Sequence, residues 1–277
     1  MKLKYLGTAA AEGVPAIFCN CDVCRRARKA GGRNIRTRSQ ALVDGKILID
    51  FPSDTYLHML RDGESFAELE HCIITHSHMD HLYPAECSMR KQGFAHPTAP
   101  TLHFYATAPG CRKFEDDPAT AGVVEQGRVA LHEIEPFVPF MIEDYKITPL
   151  KASHDPKSGP VIYLIEREGK AILYAHDTGT LSEETMDFFR QYKGKLSLLS
   201  LDGTCGINND DYFGHMTIPR CRALRKKFEE LGIVDEKTVF VLNHFSHNGR
   251  VTYDELCEMV RDEGFIVSYD TMEVELA

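Results

Sequence analysis

Three histidines and an aspartate fall within six positions in His76-Ser77-His78-Met79-Asp80-His81, directly after the apolar, β-branched run Ile73-Ile74-Thr75. Imidazole mixed with carboxylate suits zinc, iron or manganese. If Cys72 to Thr75 form a buried strand, His76 and His78 leave its end on the same side, because side chains alternate with a period of two. Asp80 and His81 follow after the backbone turns and can face a second ion. Two ions about 3.5–4 Å apart make a clamp suited to hydrolysing phosphate esters. The plain alternative is a polar loop where histidines happen to crowd. Metal chemistry is favoured because it needs several ligands in order, and the motif supplies them.

Other residues of the same chemical type lie further along. Cys19-Asn20-Cys21-Asp22-Val23-Cys24 is a knuckle at 19–24 whose three thiolates suit one tetrahedral zinc that still lacks a fourth ligand. Free thiols, or a redox pair of Cys21 and Cys24, are the alternatives. His154 stands at a strand end before a proline-containing loop, where a third ligand belongs. Asp177, in His176-Asp177-Thr178-Gly179, ends another apolar strand and is placed to bridge two ions, although a lone strand-end Asp is commonly a turn former or helix cap. His215 lies in a loop; it could protonate a leaving oxygen or bind phosphate, and the alternative is a solvent-exposed histidine with no special role.

These side chains need strands and turns to hold them. Lys2 to Leu6 alternates as a first strand, Ala41 to Asp50 reads as a hairpin around Asp44-Gly45, and Pro52 to Arg61 as a helix closed by Gly63. Pro84 to Gln92 is expected to be a helix seating the metal loop, Leu102 to Ala106 a strand, and Cys111 to Gly127 an unpatterned surface excursion. Tyr145 to Leu150 is a strand, and Val161 to Ile165 with Ala171 to Ala175 form a hairpin around Glu168-Gly169. Leu196 to Leu201 and Thr238 to Leu242 are buried strands. Thr217 caps a helix that closes at Gly232, and Thr252 to Glu255 resembles a capping box for a helix running to Gly264. No repeat or long linker divides the chain, so residues 1–277 are expected to form a single domain.

The chain has 277 residues, of which 43% are hydrophobic and 26% charged, with a net charge of −9. That balance predicts a soluble globular protein and makes general nucleic-acid binding an unnatural first choice. There is no apolar stretch of signal-peptide or membrane-spanning length, so a cytoplasmic protein without membrane association is the simplest expectation. In a reducing compartment, nine cysteines with three crowded together favour metal over disulfides. The basic run Arg25, Arg26, Arg28, Lys29, Arg33, Arg36 and Arg38 reads either as attraction for an anion or as a solvated face.

His76-Ser77-His78-Met79-Asp80-His81 resembles the HxHxDH signature of the metallo-β-lactamase superfamily. The resemblance implies an α+β fold, a four-layer αββα sandwich with a dinuclear site at one edge. It implies His76, His78 and His154 on the first ion, Asp80, His81 and His244 on the second, and Asp177 bridging both. The knuckle, the preceding Gly7-Thr8 loop and His244-Phe245-Ser246-His247 are similar to the PhnP-type phosphoribosyl cyclic phosphodiesterases. That similarity implies a structural zinc held by Cys19, Cys21, Cys24 and His247. The expected function is a metal-dependent phosphodiesterase with two divalent ions (Zn, Mn or Fe), Asp80 and His215 as catalytic residues, and a hydroxide on the metals as nucleophile. Its substrate would be a small phosphate ester, a class that includes cyclic phosphoribosyl-type esters; a homodimer is left open. The alternatives are a tRNA 3′-endonuclease of the RNase Z type, and a non-catalytic binding protein similar to the pyrroloquinoline quinone B protein. Cys111 to Gly127 and Ile207 to Tyr212 are local departures that leave the substrate open.

Overall fold

A computed structural model describes residues 1–96, 98–208 and 213–276. Strand β1 (Lys2–Gly7) buries Leu3 and Tyr5 on one face. Asp44 and Gly45, both at positive φ, form the tight turn between β2 (Gln40–Val43) and β3 (Ile47–Ile49). Three parallel additions follow: β4 (His71–Ile73), β5 (Leu102–Ala106) and β6 (Val129–Glu133). A second sheet is built from β7 (Phe140–Ile142), β8 (Tyr145–Lys151), β9 (Val161–Arg167), β10 (Lys170–Ala175), β11 (Leu198–Asp202), β12 (Val239–Asn243) and β13 (Phe265–Val267), in the order β13-β12-β11-β10-β9-β8-β7. The last strand, β14 (Glu273–Glu275), returns to pair antiparallel with β1 and completes the first sheet, β14-β1-β2-β3-β4-β5-β6.

The helices are α1 (Asp22–Ala30), α2 (Thr55–Asp62), α3 (Ala108–Glu115), α4 (Ala121–Glu125), α5 (Glu183–Gln191), α6 (Ile218–Glu230) and α7 (Tyr253–Met259). Each sheet buries both faces, so its strands read as apolar runs more than as alternation. Between the sheets lie Val43, Ile47, Ile73, Ile147, Ile165 and Leu198. On the outer face of the first sheet, Leu48, Cys72 and Phe104 pack with Phe114 of α3 and Val123 of α4. On the outer face of the second, Leu164, Leu173 and Leu199 pack with Phe189 of α5 and Phe228 of α6. The result is the helix–sheet–sheet–helix sandwich that the motif implied.

Buried tyrosines link the layers by hydrogen bonds. Tyr5 Oη donates to Ser200 Oγ at 2.8 Å and Tyr163 Oη to the Ile74 carbonyl at 2.7 Å, each joining one sheet to the other. A buried hydroxyl left unpaired would be costly, so these bonds also fix how the sheets register.

Three expectations are corrected. Pro84 to Gln92 is a 3₁₀ segment over Pro84–Arg90 and not an α-helix, so its carbonyls follow the tighter i→i+3 pattern. Cys111 to Gly127 is not an excursion: α3 and α4 occupy most of it and bury Cys111, Phe114 and Val123 in the outer core. The final helix ends at Met259, five residues before Gly264. Of the Ile207 to Tyr212 loop, residues 209–212 lie outside the described residues. The short strands β6, β7, β13 and β14 escaped the sequence reading because three to five residues carry too little periodicity.

Candidate metal centre

Every residue of the centre sits just past the C-terminal end of a strand. The loop after β3 brings Asp50, the loop after β4 brings His76 to His81, and those after β8, β10 and β12 bring His154, Asp177 and His244. Asp50, Asp177 and His244 have φ of 68°, 49° and 61°. Non-glycine residues adopt this left-handed conformation at a cost of order 1–3 kcal/mol, which the surrounding bonds must hold in place.

The expected ligands are brought together as two adjoining clusters. His76 Nε2 and His154 Nε2 lie 3.0 and 3.2 Å from His78 Nδ1. Beside them, His81 Nε2 is 3.2 Å from Asp80 Oδ2, and His244 Nε2 is 3.3 Å from His81 Nε2. Asp177 stands between the two: Oδ1 is 3.8 Å from His154 Nε2, while Oδ2 is 3.0 Å from His81 Nε2 and 2.9 Å from His244 Nε2. His76, His78 and His154, and separately Asp80, His81 and His244, present ligand atoms within 4.8 Å of one another.

The outward nitrogen of each imidazole decides what the inward one can do. His81 Nδ1 donates to Asp50 Oδ2 at 2.7 Å, since a carboxylate accepts only. His154 Nδ1 donates to the Gly214 carbonyl at 3.1 Å, and His78 Nε2 to Asp155 Oδ2 at 3.3 Å. The Thr204 hydroxyl gives its hydrogen to the His244 carbonyl, so its oxygen accepts from His244 Nδ1 at 2.7 Å. Likewise Thr75 donates to Asp50 and accepts from His76 Nδ1. Five imidazole lone pairs therefore converge with two carboxylates in a buried space. Lone pairs 3.0–3.3 Å apart repel unless a cation stands among them; about 3.3 Å is the edge of a tetrahedron with metal–nitrogen bonds of about 2.0–2.1 Å. Asp177 Oδ2 is buried without a hydrogen-bond donor of suitable geometry, as a metal-bound carboxylate oxygen would be. The donor set fits divalent ions.

Two acidic residues absent from the sequence-based site prove central. Asp50 receives the Thr75 amide and hydroxyl and His81 Nδ1 and thereby orients two imidazoles. Asp202 accepts from His215 Nδ1 at 2.9 Å and from the backbone N–H of Asp177, Thr204 and Met216. Both were legible only as strand-end carboxylates, a signal shared with ordinary turn formers. A basic residue was missed as well: Lys113 of α3 donates to the Ser77 carbonyl and braces the histidine loop. His215 lines the pocket mouth beside His154. Burial lowers its pKa, yet Asp202 overrides this and lifts it to about 9. Gly179 is required where the loop carrying His215 passes, because a Cβ there would stand 1.9 Å from the Phe213 carbonyl. His176 supports the centre from behind, bonded to Ser200 and Asn243.

The cysteine knuckle forms a separate cluster. Cys19, Cys21 and Cys24 gather around His247, whose Nδ1 is 3.7 Å from Cys19 Sγ and 3.4 Å from Cys21 Sγ. Those spacings match the edges of a zinc tetrahedron, roughly 3.5 Å from sulfur to nitrogen for bonds of about 2.3 and 2.0 Å. Burial raises the Cys21 pKa, but the Cys24 amide, Cys19 and His247 bring it down to about 6, which favours thiolate. The basic run is held in structural contacts, of which that of Arg28 reaches this cluster. Arg28 holds the Cys19 carbonyl, Arg26 pairs with Glu255, and Arg38 pairs with Asp54. Arg36 is buried against Phe245 and bonded to Thr8 and Ser268. None of the seven lines the pocket over the metal centre.

Fold and site together define a metal-dependent hydrolase. A family model described as "Beta-lactamase superfamily domain" matches residues 46–245, and the chain belongs to that metallo-β-lactamase superfamily. Among solved structures it resembles a diphosphatase from the PhnP family (20% identical, TM-score 0.72, 99% of this chain and 96% of that one). It also resembles zinc-bound PqqB from Methylobacterium extorquens (17%, TM-score 0.73, 100% of both chains) and the short form of human tRNase Z (17%, TM-score 0.65, 100% of both). At such identities these likenesses show the fold. Among curated proteins it matches an octanoyltransferase of Porphyromonas gingivalis, 26% identical over 169 residues, covering 56% of this chain and 31% of that protein. The chain thus spans about a third of that relative's length. Among the described residues no helix is long and apolar enough to cross a membrane.

Proposed function

We propose that this hydrolase is a phosphodiesterase acting on a small phosphate ester at a dinuclear centre, with a structural zinc in the knuckle. The observation that carries the reading is the division of Asp177 between two clusters, Oδ1 toward the His154 side and Oδ2 toward His81 and His244. Two cation positions sharing one carboxylate suit a phosphoryl group, whose oxygens must be neutralised on both the attacking and leaving sides. Bound divalent ions supply Lewis acidity, which acidifies water and offsets charge on the phosphoryl oxygens.

The chain's own residues do the rest. His76, His78 and His154 hold one position, and Asp80, His81 and His244 hold the other. Asp80, on the pocket floor, is placed to orient the incoming water. His215 presents its Nε2 edge to the pocket while Asp202 keeps a proton on Nδ1, so it is placed to protonate the leaving oxygen. Occupation of all seven ligand positions supports catalysis over a purely binding role. An acidic chain whose metal pocket is lined by no Lys or Arg among the described residues speaks against a tRNA substrate.

The test is hydrolysis of bis(p-nitrophenyl) phosphate by the metal-loaded protein. Turnover should be abolished by chelator and restored by Zn²⁺ or Mn²⁺. Absence of turnover with every divalent metal tried would reject the reading.

A further inference from the structure

The cavity over the metal centre holds about 440 Å³. Its floor is the metal-binding set, and one wall is formed by Glu12 with Ser246 and Asn248. Ser246 Oγ and Asn248 Nδ2 donate to Glu12 Oε1 at 3.4 and 3.2 Å, and His247 Nε2 lies 3.7 Å from the same oxygen. All three contacts fall on Oε1. The other oxygen, Oε2, has no partner among the described residues, and the side chain is 38% exposed. A carboxylate tethered by one oxygen and open at the other accepts hydrogen bonds from hydroxyl groups. It also repels a second anion, and no Lys or Arg among the described lining residues offsets that repulsion.

We propose that Glu12 selects the substrate of this site: a phosphodiester whose retained substituent is uncharged and carries hydroxyl groups, as against one bearing a second phosphate. The inference rests on the phosphodiesterase reading above and narrows it. A carboxylate that accepts from a substrate O–H favours a substrate carrying one, because a substrate without it displaces water from the acceptor and offers no donor in return. Through His247 the same carboxylate also touches the knuckle, so the cluster that holds His247 aims the recognising oxygen.

Three diesters with one leaving group test this: glyceryl, n-propyl and phosphoglyceryl p-nitrophenyl phosphate. Wild-type protein should favour glyceryl over propyl about 10–100-fold in kcat/KM, chiefly through KM, and should discriminate against the phosphoglyceryl ester. E12A should collapse the glyceryl-to-propyl ratio toward one and relax the bias against the second phosphate. E12Q, still able to accept through its amide oxygen, should retain part of the glyceryl preference while losing the charge discrimination. Zinc content is measured alongside, but a ratio taken within one preparation does not move when part of the protein is merely misfolded or metal-poor. Unchanged ratios in E12A, or no glyceryl preference in wild type, overturn the proposal. Turnover of none of the three by metal-loaded wild type would instead strike the phosphodiesterase reading itself.

Discussion

In the proposed mechanism His215 and Asp202 act as a unit, because one bond of 2.9 Å both orients the ring and holds its proton. His215→Asn should lower kcat on a phosphodiester by about 10²–10³-fold, the usual worth of a positioned acid. Asp202→Asn should lower it by a similar factor, and the double variant by little more than the worse single. Steady-state kinetics on the three variants check this, and additive losses would show that the two residues contribute separately. Metal content should stay unchanged in His215→Asn, since that residue is outside the seven expected ligands. The histidine cluster itself was readable from spacing alone. Asp50 and Asp202 were not, because a carboxylate at a strand end looks the same whether it caps a turn or orients an imidazole.

Two elements carry consequences of their own. The segment from His244 to His247 joins the metal centre to the knuckle, and it is pinned by the Phe245 amide on the Thr8 carbonyl and the Ala10 amide on the Phe245 carbonyl. Cys21→Ser should therefore lose one zinc per chain and reduce turnover several-fold although Cys21 does not line the catalytic pocket. Elemental analysis and kinetics decide it, and full activity without the knuckle zinc would refute the coupling. Helix α2 docks through His58, buried between Thr37 Oγ1 at 2.7 Å and Gln40 Oε1 at 2.6 Å. Burial depresses its pKa from about 6.5 to about 4. Between those values the unfolded chain binds the proton and the folded one does not. Stability is thus whole above pH 6.5 and is lost as pH falls toward 4, by about 3 kcal/mol in the limit. Denaturant unfolding from pH 7 to pH 4 should show a shallower decline in His58→Gln than in wild type. Equal slopes would show that His58 is already free of this burden.

Taken whole, the molecule is two sheets whose strand ends contribute opposite halves of the candidate metal centre. The first sheet supplies His76, His78, Asp80 and His81, and the second supplies His154, Asp177 and His244. Metal bound at this centre would therefore bridge the sandwich and stabilise it by linkage, by about 2.7 kcal/mol at a metal concentration one hundred times Kd. Chelated protein should melt at least several degrees below the metal-loaded form in calorimetry. Coincident melting temperatures would mean the unfolded chain binds metal as tightly as the fold does.

By itself the sequence determined what depends on local order. The histidine motif, the cysteine knuckle, the Asp44-Gly45 turn and the cap of α6 at Thr217 are written in consecutive residues, and the superfamily fold followed from the first of them. Tertiary structure decided what depends on distant residues meeting. It placed the two oxygens of Asp177 toward different clusters, selected Asp50 and Asp202 from among many strand-end carboxylates, set Arg28 of the basic run on the Cys19 carbonyl and buried Arg36 against Phe245. It also turned Cys111 to Gly127 into core helices with Lys113 beneath the histidine loop. The reason is physical: a ligand's spacing is set by a few backbone torsions, whereas its aim is set by hydrogen bonds across the sandwich.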